Sequence, residues 1–185
     1  MSRSTRTLLV LFLVGLVVAP LGDHMHVVSG TESYDRDAYA VPFWWGVPIT
    51  FPLMVAVATV VIALVRRWLG PLRRDITIRH AVGGVATVMA AYATSALGIT
   101  QPAVSTTLIW AIALAGTAVL ADGYAVACGV LVAIVGTLIE IVMHHAGLFA
   151  YSPANDQLGG VGWWLPALYL IFGVTVATAT EWLDR

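Results

Sequence analysis

Two short groups of histidines and carboxylates contain the residue types best suited to chemistry. The first group is Asp23, His24 and His26, and the second is Glu140, His144 and His145. Histidine nitrogens and carboxylate oxygens together suit zinc or iron. Neither group has the spacing of an established zinc motif such as His-Glu-x-x-His. We therefore expect no bound metal or other cofactor, and we keep a membrane metalloenzyme as the alternative hypothesis.

The composition shows what kind of element must position these groups. Hydrophobic residues make up 59% of the 185 residues and charged residues only 10%, against about 25% charged in a soluble domain. The net charge of −1 and the lack of a basic tract exclude a nucleic-acid partner. The single cysteine, Cys128, cannot form an internal disulfide and is not a metal motif by itself. These values predict an integral membrane protein that has membrane lipid as its partner.

The hydrophobic runs predict an all-α fold, a polytopic membrane helix bundle with six transmembrane helices. About 20 apolar residues cross a hydrocarbon core of roughly 30 Å, and inside lipid only a helix satisfies its own backbone. We predict that the chain forms one transmembrane domain, residues 1–185. Its spans are approximately residues 7–28, 44–65, 81–99, 103–121, 124–143 and 161–180.

The first hydrophobic run has a second interpretation. Arg3 and Arg6 followed by the apolar residues 8–19 are also typical of a signal peptide. The residues after Ala19 do not form a clean cleavage site with small residues at the required positions. We therefore expect the run to stay in the protein as its first helix.

The arginines predict the orientation in the membrane. All nine basic residues are arginine, which fits a GC-rich coding bias and points to a bacterial source. With six spans, eight of them fall on one side and only Arg36 on the other. The eight are Arg3, Arg6, Arg66, Arg67, Arg73, Arg74, Arg79 and Arg185. Since positive residues stay inside, both termini are expected in the cytoplasm, in the cytoplasmic membrane if the source is bacterial.

Small residues at four-residue spacing recur in spans three, four and five. Helices in lipid associate by close contact, and small residues permit it. We therefore expect these three helices to form the centre of the bundle. Further copies of the chain remain possible partners.

Polar side chains concentrate in the outer halves of spans two to five, and polar groups inside lipid usually face the protein interior. Pro48 and Pro52 add to this zone, because each lacks an N–H and would leave a helical carbonyl without its donor. We predict a lipid-binding cavity there. Its expected residues are Trp45, Thr50, Ala91, Tyr92, Ser95, Gln101, Ser105, Ala111, Thr137 and Glu140. The alternative is that the hydroxyls bond back onto their own helices.

The predicted cavity favours a neutral ligand. No arginine or lysine lies within the predicted spans. A buried anionic phosphate would have no counter-charge there, which is prohibitive. A hydroxyl could instead donate to a free carbonyl and accept from Gln101 or Ser105, so we expect a diacylglycerol-like or sterol-like lipid.

Several segments, taken in order, resemble the Insig family of sterol-responsive membrane proteins. The first span leads to the cluster Trp44-Trp45-Gly46-Val47-Pro48, and the second ends in an arginine-rich loop with Gly70-Pro71. Asp122 follows the fourth span. The most specific stretch is Gly147-Leu148-Phe149-Ala150-Tyr151-Ser152-Pro153, followed by Trp164-Leu165-Pro166 and a last helix with Gly173.

The resemblance implies six helices with cytosolic termini and a non-catalytic role in binding sterols or similar lipids, so no catalytic residue is expected. Animal members bind oxysterols and retain Scap and HMG-CoA reductase in the endoplasmic reticulum. Asp122 matches the family's partner-binding aspartate, although the residues alone equally indicate an N-cap for the fifth helix. We do not expect Scap or HMG-CoA reductase as partners of a bacterial member.

Overall fold

The computed structural model describes residues 2–97 and 101–185, and this part of the chain forms six long helices joined by short strands and turns. The helices are α1 (Arg3–Ser29), α2 (Thr50–Leu69), α3 (Ile78–Ser95), α4 (Pro102–Leu120), α5 (Gly123–His145) and α6 (Leu165–Leu183). The strands are β1 (Glu32–Tyr34), β2 (Phe43–Trp44), β3 (Val47–Pro48) and β4 (Phe149–Tyr151). The predicted all-α membrane bundle is confirmed.

Five of the described helices are long and apolar enough to cross a membrane. They are α1, α2, α4, α5 and α6. The remaining helix, α3, is the least apolar because its 18 residues include Arg79, His80 and two glycines. It still lies within the bundle, against α4 and α6.

The second span begins later than the predicted residue 44. Residues Phe43 to Pro48 form a small antiparallel hairpin, in which Trp44 pairs with Val47, and α2 starts only at Thr50. The expectation that Pro48 and Pro52 leave helical carbonyls without donors is therefore wrong. Pro48 precedes the helix, and Pro52 lies in its first turn, where backbone N–H groups have no intrahelical partner in any case.

The centre of the bundle is α6, not the group of α3, α4 and α5 that the small residues predicted. Helix α6 packs against α3, α4 and α5, and most of its residues are buried, whereas α5 exposes much of its surface. Gly173 of α6 and Gly129 of α5 let the two backbones touch, because a Cβ on Gly173 would lie 2.8 Å from the Gly129 Cα. Such close approach of small residues is how membrane helices associate.

A buried ion-pair network closes the end of the bundle at which α2 and α6 end, here called the arginine end. Arg66 is 0% exposed, and its Nε lies 3.0 Å from Oε1 of Glu181. Arg73 donates to Oε2 of Glu181 and to the carbonyl of Leu120, each at 2.8 Å. The sequence placed Arg66 outside the second span, but α2 continues to Leu69 and takes this arginine into the protein.

At the opposite end, here called the far end, two separate loops fold over the helices. Strands β1 and β4 pair antiparallel, with Glu32 opposite Tyr151. Trp164, at the start of α6, is 1% exposed and donates from its indole nitrogen to Asn155, 2.8 Å away. The paired strands bring loop residues that are far apart in sequence against the ends of α1 and α5.

Candidate functional site

A cavity of about 790 Å³ separates α2 from α5, and α6 forms its back wall. Apolar side chains from the two helices line most of it, among them Val57, Val61, Val132 and Ile139. At about 1.5 Å of rise per residue, its wall on α2 from Thr50 to Val65 is about 22 Å long. The cavity therefore runs along most of a bilayer core of about 30 Å. An elongated apolar molecule fits this shape.

Hydroxyl and carboxyl groups line only the far end of the cavity. They belong to Glu32, Tyr34, Thr50, Tyr92, Glu140 and Tyr169. The hydroxyls of Tyr151 and Tyr169 both donate to the Glu140 carboxylate, the first at 2.8 Å from Oε2 and the second to Oε1. Glu140 is only half-buried, because it faces the cavity. A ligand with a polar group at one end therefore meets its hydrogen-bond partners at the far end.

The position of Tyr169 depends on a close contact with α5. A Cβ on Gly136 would lie 2.8 Å from the Tyr169 ring, so this ring occupies the space that only glycine leaves open. Gly136 lies one helical turn before Glu140, which places the Tyr169 hydroxyl at the Glu140 carboxylate. The carboxylate is thus oriented by α6 as well as by the loop that carries Tyr151.

A second polar cluster lies directly behind Glu32. The Tyr34 hydroxyl donates to Oδ2 of Asp23 at 2.7 Å, and His26 Nε2 lies 2.6 Å from the Ser95 hydroxyl. Asp23, His26 and Glu32 are 3%, 1% and 4% exposed. One nitrogen or oxygen atom from each of the three lies within 4.8 Å of the others.

Burial decides the protonation of the loop residues in these clusters. Burial, together with the nearby Glu140 charge, raises the pKa of Glu32 well above its usual range. Burial likewise raises the pKa of Tyr34 and of Tyr151 well above the usual value for a phenol. No arginine is among the residues that line the cavity, so no guanidinium offsets these carboxyl groups.

Of the ten residues predicted for a lipid site, the structure places Thr50, Tyr92 and Glu140 in the wall of the cavity. Two others lie close behind the wall. Ser95 is buried and bonded to His26, and Ala91 is 0% exposed within the core.

The other five predicted residues lie away from the cavity. Trp45 is 47% exposed, in the turn of the β2–β3 hairpin. Gln101 and Ala111 are exposed residues of the α4 region, and Ser105 donates to the Pro102 carbonyl at 3.1 Å. Thr137 is buried, with no hydrogen-bond partner among the described residues. Ser105 follows the alternative reading, in which hydroxyls bond back onto their own helix.

Sequence reasoning missed four polar residues at or beside the far end of the cavity. They are Glu32, Tyr34, Tyr151 and Tyr169. The first three are loop residues, for which depth in a span gives no signal. Tyr169 could have been predicted from the sequence, because it is a lone hydroxyl in the outer half of the sixth span, one turn after Trp164-Leu165-Pro166.

The two sequence groups of histidines and carboxylates do not form one site. His24 Nδ1 lies 2.8 Å from the Trp45 carbonyl, outside the buried cluster. His144 and His145 contact each other, with ring centroids 5.4 Å apart. Only Asp23 and His26 of the six residues converge, and the residue that joins them, Glu32, belonged to neither group.

Asp122 is the N-cap of α5. Its carboxylate accepts a hydrogen bond from the Ala125 N–H at 2.8 Å and lies 3.5 Å from Arg66 and 3.6 Å from Arg73. The capping interpretation of this residue is confirmed. Its side chain remains 24% exposed, so one edge is open to a neighbour.

The fold and the cavity define a class: a multi-pass helical membrane protein with an apolar cavity that is polar at one end. Over 173 residues the chain is 46% identical to a curated protein of Mycolicibacterium vanbaalenii described as an INSIG protein homolog. The match covers 93% of this chain and 84% of that protein. The chain therefore belongs to the Insig family, which confirms the resemblance found in its sequence.

Two solved structures support this assignment. The mycobacterial Insig homologue MvINS from Mycobacterium vanbaalenii is 43% identical with a TM-score of 0.92, and the match covers 97% of this chain and 95% of that one. A cross-linked trimer of an arginine-to-cysteine variant of MvINS is 42% identical with a TM-score of 0.91, covering 95% and 93%. No protein-family model matches the chain.

Proposed function

We propose that this protein is a non-catalytic membrane protein that binds a neutral lipid, sterol-like or diacylglycerol-like, in the cavity between α2 and α5. The observation that carries the proposal is the cavity itself: about 790 Å³, apolar along its length and polar only at the far end. A pocket with apolar walls and a few convergent polar groups is typical of a small-molecule site.

The chemistry of the far end selects the ligand's polar group. A lipid hydroxyl can donate to Glu140, whose two oxygens already accept from Tyr151 and Tyr169, and can accept from the hydroxyls at this end of the cavity. An anionic phosphate would meet carboxyl groups and no arginine, so it would be repelled and unpaired. The ligand is therefore uncharged at its head.

The remaining parts of the proposal concern orientation and partners. We place the arginine end and both termini in the cytoplasm, in agreement with the arginine distribution. The cross-linked trimer of MvINS supports a homo-oligomer for this chain as well. The open edge of Asp122 supports its role in partner binding, with partners other than the animal proteins Scap and HMG-CoA reductase.

A competition assay tests the ligand class. Purified protein in detergent is loaded with a fluorescent short-chain diacylglycerol, which is then displaced with unlabelled diacylglycerol or with phosphatidylglycerol. We expect diacylglycerol to compete at least about tenfold better, since a lost charge-assisted hydrogen bond is worth about 1.5–3 kcal/mol. Glu140→Gln should weaken diacylglycerol binding, whereas His145→Gln, at an exposed position, should not. Preference for phosphatidylglycerol would reject the proposed ligand.

A further inference from the structure

The cluster of Asp23, His26 and Glu32 places two buried carboxyl groups beside an imidazole. His26, which carries the imidazole, is buried as well. An isolated buried carboxylate costs several kcal/mol unless it is paired or coordinates a metal. Among the described residues, the two ion-pair networks that contain arginine lie at the other end of the bundle.

The contacts of the Ser95 hydroxyl determine which nitrogen of His26 is free. This hydroxyl lies 2.8 Å from the Tyr92 carbonyl and 2.6 Å from His26 Nε2, and when its one proton goes to the carbonyl it accepts from Nε2. This assignment places the ring proton on Nε2. The lone pair of Nδ1 is left facing Oε2 of Glu32 at 3.7 Å, which is beyond hydrogen-bond distance. In this tautomer the buried Nδ1 lone pair therefore faces a carboxyl oxygen with which it makes no hydrogen bond.

We propose that Asp23, His26 and Glu32 bind one divalent transition-metal ion, for which Zn²⁺ is the best match. One imidazole nitrogen and two carboxylate oxygens suit zinc, whereas magnesium and calcium prefer oxygen ligands alone. Two carboxylates and a neutral imidazole also balance a charge of +2. An ion between Nδ1 of His26 and Oε2 of Glu32 would account for their separation of 3.7 Å. Two ligands of a tetrahedral ion with bonds of about 2.1 Å lie about 3.4 Å apart.

The fold holds these three ligands in place. Asp23 and His26 are three residues apart on α1 and share one face of the helix. Glu32 follows directly after the helix end at Gly30, and β1 fixes its backbone by pairing with β4. Binding would draw the three atoms, now within 4.8 Å of one another, together by up to about 1.4 Å, which rotation of the two carboxylate side chains can supply.

Two further contacts resemble the outer shell of a metal site. Metal-binding histidines usually donate their second N–H to a neighbouring oxygen, as His26 does to Ser95, and ligating carboxylates are themselves hydrogen-bonded, as Asp23 is by Tyr34. Glu32 lines the lipid cavity, so a fourth coordination position would open on the cavity and not on the core. An oxygen atom in the cavity could fill it.

Zinc binding by the purified full-length protein tests this site. After removal of metal with a chelator, dialysis against Zn²⁺ and elemental analysis should give one zinc per chain, and Co²⁺ should give the visible spectrum of a tetrahedral complex. His26→Gln and Glu32→Gln should lower zinc affinity by more than about 100-fold, because loss of an outer-shell partner alone costs about 10–100-fold. The matched controls His24→Gln and His145→Gln should bind as the wild type does.

Tyr34→Phe separates loss of the site from loss of the fold. It removes only the hydroxyl that orients Asp23, so it should weaken zinc binding about 10–100-fold. Its unfolding temperature without metal, measured in parallel, reports whether the fold is intact. Zinc that is absent from the wild type, equal in His26→Gln, or lost in either control variant would overturn the proposal.

Discussion

Single residues at the far end show which parts of the site could be predicted from the depth of a polar side chain along its apolar span. Glu140, Tyr92 and Thr50 were predictable, because a polar side chain at a given depth in an apolar span must find a partner inside the protein. Glu32 and Tyr151 were not, because their places depend on how two loops separated by more than 100 residues pair as strands. Such pairing leaves no periodic pattern within either loop.

The side-chain cap that Asp122 provides to α5 can be tested by replacing this residue. Asp122→Ala removes the side-chain cap of α5 and should lower the free energy of unfolding by about 1 kcal/mol. Asp122→Asn keeps an oxygen that can accept from the Ala125 N–H, so it should stay close to the wild type. The measurement is denaturant unfolding in detergent. Equal losses in both variants would show that the ion pairs to Arg66 and Arg73 matter more than the cap.

At the scale of the helices, the order of elements was predictable and their arrangement was not. Runs of about 20 apolar residues predicted the number of helices. The largest shift in a bound lies where a hairpin replaced the first turns of the second span, and several other bounds shifted by three or four residues. The small-residue stripes pointed to α3, α4 and α5, yet α6 is central. Small residues permit close contact in several helices at once, and the pattern does not say which helix meets them all.

The contact between Gly129 and Gly173 leads to a test of that arrangement. Gly173→Ala places a methyl group 2.8 Å from the backbone of Gly129, which cannot move as a side chain could, so α5 and α6 must separate. We expect a lower unfolding temperature. Gly83→Ala in α3 is the matched control, since its Cβ would meet nothing within 4 Å and a gain of up to about 1 kcal/mol in helix propensity remains. Stability unchanged in Gly173→Ala would contradict a tight α5–α6 contact.

For the whole molecule, the distribution of charge separates the two ends of the bundle. The arginine end holds a buried network of ion pairs, and the far end holds carboxyl, hydroxyl and imidazole groups. A reporter active only in the cytoplasm should therefore give signal when fused after Arg185 or inserted in the loop of residues 70–77. The positive-inside bias acts through such short flanking loops. Signal from an insertion at Asp156 would reverse the orientation.

The central claim is that the cavity between α2 and α5 holds a lipid, and a cavity-filling variant tests it most directly. Ala58 lines the cavity, whereas Ala111 is exposed on α4 and lies outside it. Ala58→Trp should reduce the affinity for a short-chain diacylglycerol by at least about tenfold, because the indole occupies the space of the ligand's apolar body, about 1.4 kcal/mol or more of binding. Ala111→Trp should bind as the wild type does. Wild-type affinity in a folded Ala58→Trp protein would contradict the account.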